Sequence, residues 1–252
     1  MNNLDTLIEN GLVVTENEIG HLNIGIKDGK IAYLGDENLN AEFKINASDL
    51  IVLPGGIDPH VHVDQPSGDD VIMADNFQSA TKSAAAGGNT TILPFAMQIK
   101  GQSLRKCVED YHKKAQGNMY IDTSFHLIIS DPTPQVLGQE LPALSKDGYT
   151  SFKVFMTYDD LVLNDKELIE VFDVAKQLKT LVMVHAEGYD SIKYLSDKFE
   201  KEGKTAPYYH APTRPQIVER EATHRAISHA QIVDIPITVS YTHLTLPTTF
   251  GV

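Results

Sequence analysis

Two histidines on either side of a valine form the clearest chemical motif of this sequence. A Pro-Gly-Gly run at 54–56 interrupts the chain, so a new strand is predicted to begin at Ile57 and to contain His60 and His62. Side chains at i and i+2 of a strand point to one face, which aims both imidazoles at the same spot. Neutral imidazole is the commonest protein ligand of Zn²⁺ and similar cations. An isolated H-x-H is more often structural. Here, however, the polar run at 64–70 places the pair at the carboxyl end of the strand, where α/β barrels build active sites.

A lysine lies inside the apolar strand predicted at 151–156. An unpaired buried ammonium is costly, so Lys153 is expected to be exposed, paired or chemically modified. Reaction with CO₂ would convert the amine into a carbamate, an anion whose two oxygens can bridge two cations. The alternative is a lysine on a strand edge that reaches solvent, and the spacing leaves both open.

A third position follows the apolar strand 181–185, which ends in His185. A lone histidine there is more often structural than a ligand. However, His60, His62, Lys153 and His185 are predicted at the same end of barrel strands one, four and five. Catalytic residues of a barrel are gathered from several strands in this way, so the four together indicate one site.

The elements that would position these residues form two groups. Residues 1–53 contain short alternating apolar runs separated by Asn-Gly, Asp-Gly and Gly-Asp turns, which predict a small β-module of hairpins. From Ile57 onward, strands and helices alternate through about six units, without a dinucleotide fingerprint or a P-loop. This pattern favours a parallel barrel. The helices are predicted at 75–86, 103–116, 134–146, 165–178, 189–202 and 216–230, and the later strands at 89–95, 121–129, 150–156, 180–185 and from Ile235.

Composition excludes several classes of function. The chain has 252 residues, 42% of them apolar, and 21 basic against 34 acidic side chains give a net charge of −13. This acidic balance without a basic cluster argues against nucleic-acid or anionic-membrane binding. No stretch reaches the roughly 18 apolar residues of a membrane span, and the polar amino terminus predicts a cytoplasmic protein. The single cysteine, Cys107, excludes an internal disulfide framework.

Five segments together resemble the dihydropyrimidinase/hydantoinase branch of the cyclic amidohydrolases. They are PGGIDPHVH at 54–62, GGNTT at 87–91, SFKVFMTY at 151–158, VHAE at 184–187 and HAPTRP at 210–215. The resemblance covers residues 1–239. It implies a (β/α)₈ TIM barrel of the metal-dependent hydrolase type beside a small β-sandwich. It also implies hydrolytic opening of a cyclic ureide or imide, such as a dihydropyrimidine or hydantoin, by a homotetramer.

The resemblance also implies roles for individual residues. Two divalent metals, usually zinc, would be held by His60 and His62 at the more buried position and by His185 at the second. Lys153 would be the carbamylated bridge between them. Tyr158 would donate a hydrogen bond to the substrate carbonyl as its oxygen becomes anionic.

The last residues depart from this pattern. Tyr241 stands where the family has a further histidine ligand, and residues 240–252 resemble translated vector sequence, so His243 is not expected to bind metal. The expected organisation is therefore 1–53 as part of the β-sandwich, 54–239 as the first five to six barrel units, and 240–252 as a non-native tail. The aspartate of strand eight, which would move a proton, is absent, and an inactive amino-terminal fragment is expected.

Two alternatives stay open at this point. The first is a non-catalytic relative that serves as an assembly protein, like the collapsin-response-mediator proteins. Retention of the five residues that the resemblance places in the site argues against it. The second is an allantoinase or dihydroorotase, against which the spacing of Lys153 and Tyr158 favours the hydantoinase branch.

Overall fold

A computed structural model describes residues 4–68 and 71–240 of the chain. The backbone divides into two compact units, Met1–Gly56 and Ile57–Val252. The expectations for Tyr241, for His243 and for the tail from 241 onward lie outside the described residues. Within the described ranges, no helix is long and apolar enough to cross a membrane.

The first unit is a mixed sheet with the strand order β3-β2-β1-β4, in which β5 also pairs with β1. The hairpin pattern is found in β1, β2 and β3, which pair antiparallel. In contrast, β4 and β5 run parallel to β1 and pair with the edge that β2 leaves free. The described residues provide one sheet of the expected sandwich. The strands are β1 Leu4–Val14, β2 Ile19–Lys27, β3 Lys30–Gly35, β4 Ala41–Asn46 and β5 Ile51–Val52.

The second unit is a parallel sheet wound in chain order, β6-β7-β9-β10-β11-β12, with β8 also paired to β7. Consecutive parallel strands with helical connections form part of a (β/α)₈ barrel, as predicted. The strands are β6 Gly56–Val61, β7 Asn89–Met97, β8 Asp122–Thr123, β9 His126–Ile128, β10 Ser151–Phe155, β11 Leu181–His185 and β12 Ile237–Val239.

The helices follow the predicted segments closely. Asparagine caps begin two of them, at Asn76 and Asn164, and Ser103 caps a third. The first helix ends at Gly87, and Gly88 follows with φ +88°, a conformation that glycine adopts readily. The helices are α1 Phe77–Ala86, α2 Leu104–Ala115, α3 Leu141–Lys146, α4 Asp165–Leu178, α5 Tyr189–Lys201 and α6 Gln216–Val233.

Two predicted elements are interrupted, and a proline explains each interruption. The strand expected at 121–129 is divided into β8 and β9, which keep the same register with β7 on both sides of the gap. Pro94 of β7 lies opposite this gap and has no N–H to donate to the ladder. The helix expected at 134–146 begins as a π-helical segment, Val136–Glu140, before α3. Pro142 cannot donate the i→i−4 hydrogen bond at this junction.

The Asn164 cap provides a stability test of the α4 assignment. The Asn164 side chain accepts a hydrogen bond from the Glu167 N–H at 3.0 Å, and the Glu167 carboxylate accepts one from the Asn164 N–H at 2.8 Å. We expect Asn164→Ala to lower the free energy of unfolding by roughly 1 kcal/mol, while Asn164→Asp leaves it nearly unchanged. Urea unfolding of both variants measures the difference. Equal stability of the two variants would contradict the capping role.

Candidate metal centre

The two histidines of the H-x-H motif lie at the carboxyl end of β6. The strand ends at Val61, so His62 stands one residue beyond the last strand residue, with its side chain exposed. The Asp58 carboxylate accepts a hydrogen bond from the His60 N–H at 3.0 Å. The two imidazole centroids are 5.6 Å apart. The structure therefore brings the pair together, as the spacing predicts, but only His60 is held within the strand.

The fully buried ring of Phe95 connects this pair to the rest of the site. Its centroid lies 4.7 Å from the His60 ring, 4.9 Å from the His62 ring and 5.7 Å from Nζ of Lys153. The His62 ring is stacked on it, with an interplanar angle of 22°. Phe95 was not singled out in the sequence. Its position near the end of an apolar strand is the feature of the sequence that could have indicated a place near the site.

Lys153 is buried inside the barrel sheet, with a relative exposure of 1%. This excludes the strand-edge alternative. The ammonium group donates a hydrogen bond to Oγ of Ser240 at 2.8 Å and lies over the rings of Phe95 and Phe155. Burial lowers the pKa of Lys153 to about 8, because charge is costly in these surroundings. The neutral amine, which is the form that adds to CO₂, is therefore accessible near neutral pH.

Phe155 joins Lys153 to the remaining two predicted residues. Nζ of Lys153 lies 5.1 Å from its centroid, and the ring of His185 is stacked at 5.4 Å with an interplanar angle of 21°. The ring of Tyr158 lies 5.9 Å from Phe155 and 5.3 Å from His185. All five predicted residues therefore belong to one cluster, in which Lys153 touches both central phenylalanines.

Tyr158 has an unusual backbone conformation. Its φ is +72°, which is rare and strained for a residue with a bulky side chain, and its carbonyl accepts hydrogen bonds from the N–H groups of Leu161 and Val162. Tyr158 is 42% exposed, and partial desolvation of its phenol raises the pKa, with a smaller contribution from the nearby Glu187 carboxylate. The phenol therefore stays protonated at neutral pH and can act as a hydrogen-bond donor.

His185 and Glu187 form a close pair at the end of β11. Nε2 of His185 lies 2.7 Å from a carboxylate oxygen of Glu187, and this hydrogen bond lowers the pKa of that carboxyl group. The carboxylate only accepts, so Nε2 carries the proton. In the neutral ring, Nδ1 is then the nitrogen with a lone pair for a cation.

His126 of β9 is a further buried histidine that was not predicted. Its Nε2 donates to the Pro59 carbonyl at 2.8 Å, and its Nδ1 accepts from the Ser151 hydroxyl at 2.5 Å. Burial lowers its pKa, which favours the neutral ring that this arrangement requires. The imidazole thus connects the chain just before His60 to the strand that carries Lys153.

These donors suit a divalent metal site, although the protein groups alone do not complete one. Burial, followed by the nearby Lys153 charge, lowers the pKa of His60 to about 4, which keeps the ring in its ligating form. Among the described residues, no three His, Cys, Asp or Glu side chains are grouped so as to hold a cation. The group that contacts both central phenylalanines is a lysine, whose amine coordinates a cation poorly unless it is converted into an anion. A carbamate on Lys153 would supply that anion in the middle of the cluster.

Comparisons with known proteins agree on one family for most of this chain. A profile of the Amidohydrolase family matches residues 51–224. The D-hydantoinase of Rhizobium radiobacter is 46% identical over 248 residues, which are 98% of this chain and 53% of that protein. Rat dihydropyrimidinase is 35% identical over 240 residues, covering 92% of this chain and 46% of the relative.

Solved structures agree with these sequence matches. A D-hydantoinase structure superposes with a TM-score of 0.90 at 46% identity, covering 94% of this chain and 51% of that one. The crystal structure of dihydropyrimidinase from Brevibacillus agri gives a TM-score of 0.88 at 40% identity, with coverage of 93% and 51%. The chain thus spans about half the length of the relatives that it matches.

Proposed function

Because the chain belongs to the amidohydrolase family, we propose that the protein hydrolyses the cyclic amide bond of hydantoins and dihydropyrimidines. The products would be N-carbamoyl amino acids. The observation that supports this most strongly is the position of Lys153, which is buried and contacts the two phenylalanines around which the candidate ligands gather. An assembly protein would gain nothing from this costly arrangement.

The contacts of the candidate residues with Phe95 and Phe155 support an assignment of ligands that the family resemblance implies. We assign His60 and His62 to one divalent cation and His185 to a second, with zinc as the expected metal. Lys153 would bridge them as a carbamate. The neutral amine adds to CO₂ to form a new N–C bond, and one proton is released, which leaves a single negative charge on the two oxygens.

The reaction needs an activated water and a stabilised oxyanion. When bound, the cations would lower the pKa of water and polarise the ring carbonyl. Tyr158 would donate its phenolic hydrogen bond to the carbonyl oxygen as negative charge develops there. The water oxygen bonds to the carbonyl carbon, the ring C–N bond breaks, and a proton passes to the leaving nitrogen. None of the described residues is assigned to that last transfer.

Metal removal tests this proposal directly. In the complete protein that contains this chain, we expect dialysis against a chelator to reduce ring opening to background, because both water activation and carbonyl polarisation are lost. Zinc with bicarbonate should restore it, and zinc without CO₂ should restore it only in part. Chromatography of the N-carbamoyl product measures the rate, and elemental analysis measures the metal.

The substrate panel separates the alternatives. Hydantoin and dihydrouracil should be opened faster than allantoin or dihydroorotate, which are the substrates of the two alternative enzyme classes. Full activity in metal-free protein would contradict the mechanism, and metal-loaded protein that opens none of the four rings would favour the non-catalytic alternative.

A cytoplasmic location and a homotetramer belong to the same proposal, and sedimentation analysis tests the assembly.

A further inference from the structure

The side chain of Gln65 connects His62 to the barrel. Its Oε1 lies 2.6 Å from Nδ1 of His62, and its Nε2 donates to the carbonyl oxygen of Phe95 at 3.0 Å. Gln65 itself stands in the loop that follows β6. It thus reaches from the exposed histidine to a backbone group of β7, the neighbouring strand in the sheet.

Asp64, the residue before Gln65, is hydrogen-bonded to two other segments of the chain. Lys114 of α2 donates hydrogen bonds to the Asp64 carbonyl at 2.6 Å and to the Asp64 carboxylate at 3.2 Å. The Asp64 N–H donates to the Asp75 carbonyl at 3.2 Å. The Gln65 amide is therefore presented from a fixed backbone.

The chemistry of the partners determines which way the amide faces. The Phe95 carbonyl can only accept a hydrogen bond, so the NH₂ end of Gln65 must face it. The oxygen end then faces His62. Because that oxygen also only accepts, Nδ1 of His62 must carry the proton. In a neutral ring with a proton on Nδ1, the lone pair is on Nε2.

The orientation of the His62 ring depends on its side-chain contacts. It lies beyond the last residue of β6, where the strand ladder no longer positions its backbone. Its ring is held by stacking on the side chain of Phe95 and, through Gln65, by the Phe95 carbonyl. Stacking sets the plane of the ring but does not distinguish its two nitrogens. The hydrogen bond with Gln65 distinguishes them, because it involves Nδ1 alone.

We propose that Gln65 is a positioning residue that selects the His62 tautomer with Nε2 available to a metal, and so sets the affinity of the site. This inference rests on the proposed function, because it concerns the same metal. Groups that orient ligating histidines typically change metal affinity by about 10–100-fold when they are removed. Gln65 would act through His62 and would not contact the substrate.

Two substitutions in the complete protein test the proposal. Gln65→Met preserves length but removes both hydrogen bonds, and should weaken zinc binding by about 10–100-fold in competition with a chromophoric chelator. Gln65→Glu retains an acceptor for the Nδ1 proton but cannot donate to the Phe95 carbonyl, so it should lose less affinity than Gln65→Met. The matched control is Gln177→Met, since Gln177 hydrogen-bonds Asp173 on α4 and should show wild-type affinity.

A second readout does not require the metal. In metal-free protein labelled with ¹⁵N-histidine, the His62 signals, assigned by their loss in His62→Asn, should report a proton on Nδ1 in the wild type. A mixture of tautomers is expected in Gln65→Met. Unchanged affinity and an unchanged tautomer in Gln65→Met, with a wild type that binds zinc, would overturn this inference alone. A wild type that binds no zinc would overturn the proposed function as well.

Discussion

Replacement of Lys153 by alanine is expected to abolish ring opening and to reduce bound metal to less than one ion per chain. The side chain is buried at the centre of the cluster, between the rings of Phe95 and Phe155. Its carbamate would be the anion shared by both cations. Without it, each cation would keep only neutral imidazole ligands from the described residues, and neither the bridging charge nor the spacing of the metals would remain.

The test separates chemistry from folding. Short carboxylates such as acetate or propionate should partly restore activity to Lys153→Ala, because they can occupy the space of the lost carbamate. Lys153→Met fills the same space without a charge and should remain folded and inactive. Lys146→Ala, at the end of α3, is the control and should be fully active. Normal metal content and turnover in Lys153→Ala would contradict the bridging role.

Replacement of Tyr158 by phenylalanine should reduce kcat by about 10²–10³-fold, as loss of one oxyanion donor typically does. The phenol is protonated at neutral pH, since burial raises its pKa, and its ring lies beside His185. Its hydrogen bond would strengthen only as the carbonyl oxygen gains charge. KM should therefore change little.

Steady-state kinetics with hydantoin, together with metal analysis, measure this effect. Tyr194→Phe is the control, because Tyr194 is an exposed tyrosine of α5. It should leave both constants unchanged. If Tyr158→Phe raised KM and kept kcat, the phenol would be a uniform binding contact and not an oxyanion donor. Loss of metal in this variant would instead indicate a structural role.

The sequence was sufficient for the architecture, and it named five candidate site residues that the structure gathers around Phe95 and Phe155. Alternating strands and helices from Ile57 predict the parallel barrel, because each βα unit has its own periodicity and its own turns. The asparagine caps and the glycines after α1 set the helix ends locally. His60, His62, Lys153 and His185 stand out as candidates because they interrupt or end apolar strands, whereas Tyr158 is named only by the family resemblance. The strand expected at 121–129 and the helix expected at 134–146 are each interrupted next to a proline, which lacks the N–H that a continuous element requires.

Only the tertiary structure decided what surrounds those residues. Spacing alone left Lys153 either buried or on a sheet edge, because burial depends on neighbouring strands that are distant in sequence. The structure also revealed the contacts of Phe95, His126 and Gln65 with the candidate residues and their neighbours. Phe95 and His126 contact side chains or backbone carbonyls of residues that lie about 25 to 67 positions away along the chain.

The physical reason is the difference between local and long-range interactions. Periodicity, caps and turns are determined within a few residues, so they can be read from the chain. The proton position on an imidazole depends on which acceptor the fold brings to it. For His62 that acceptor is Gln65, whose own orientation depends on a carbonyl of the neighbouring strand. The sequence identifies the candidate ligands, and the packing of the strands determines which nitrogen each can offer.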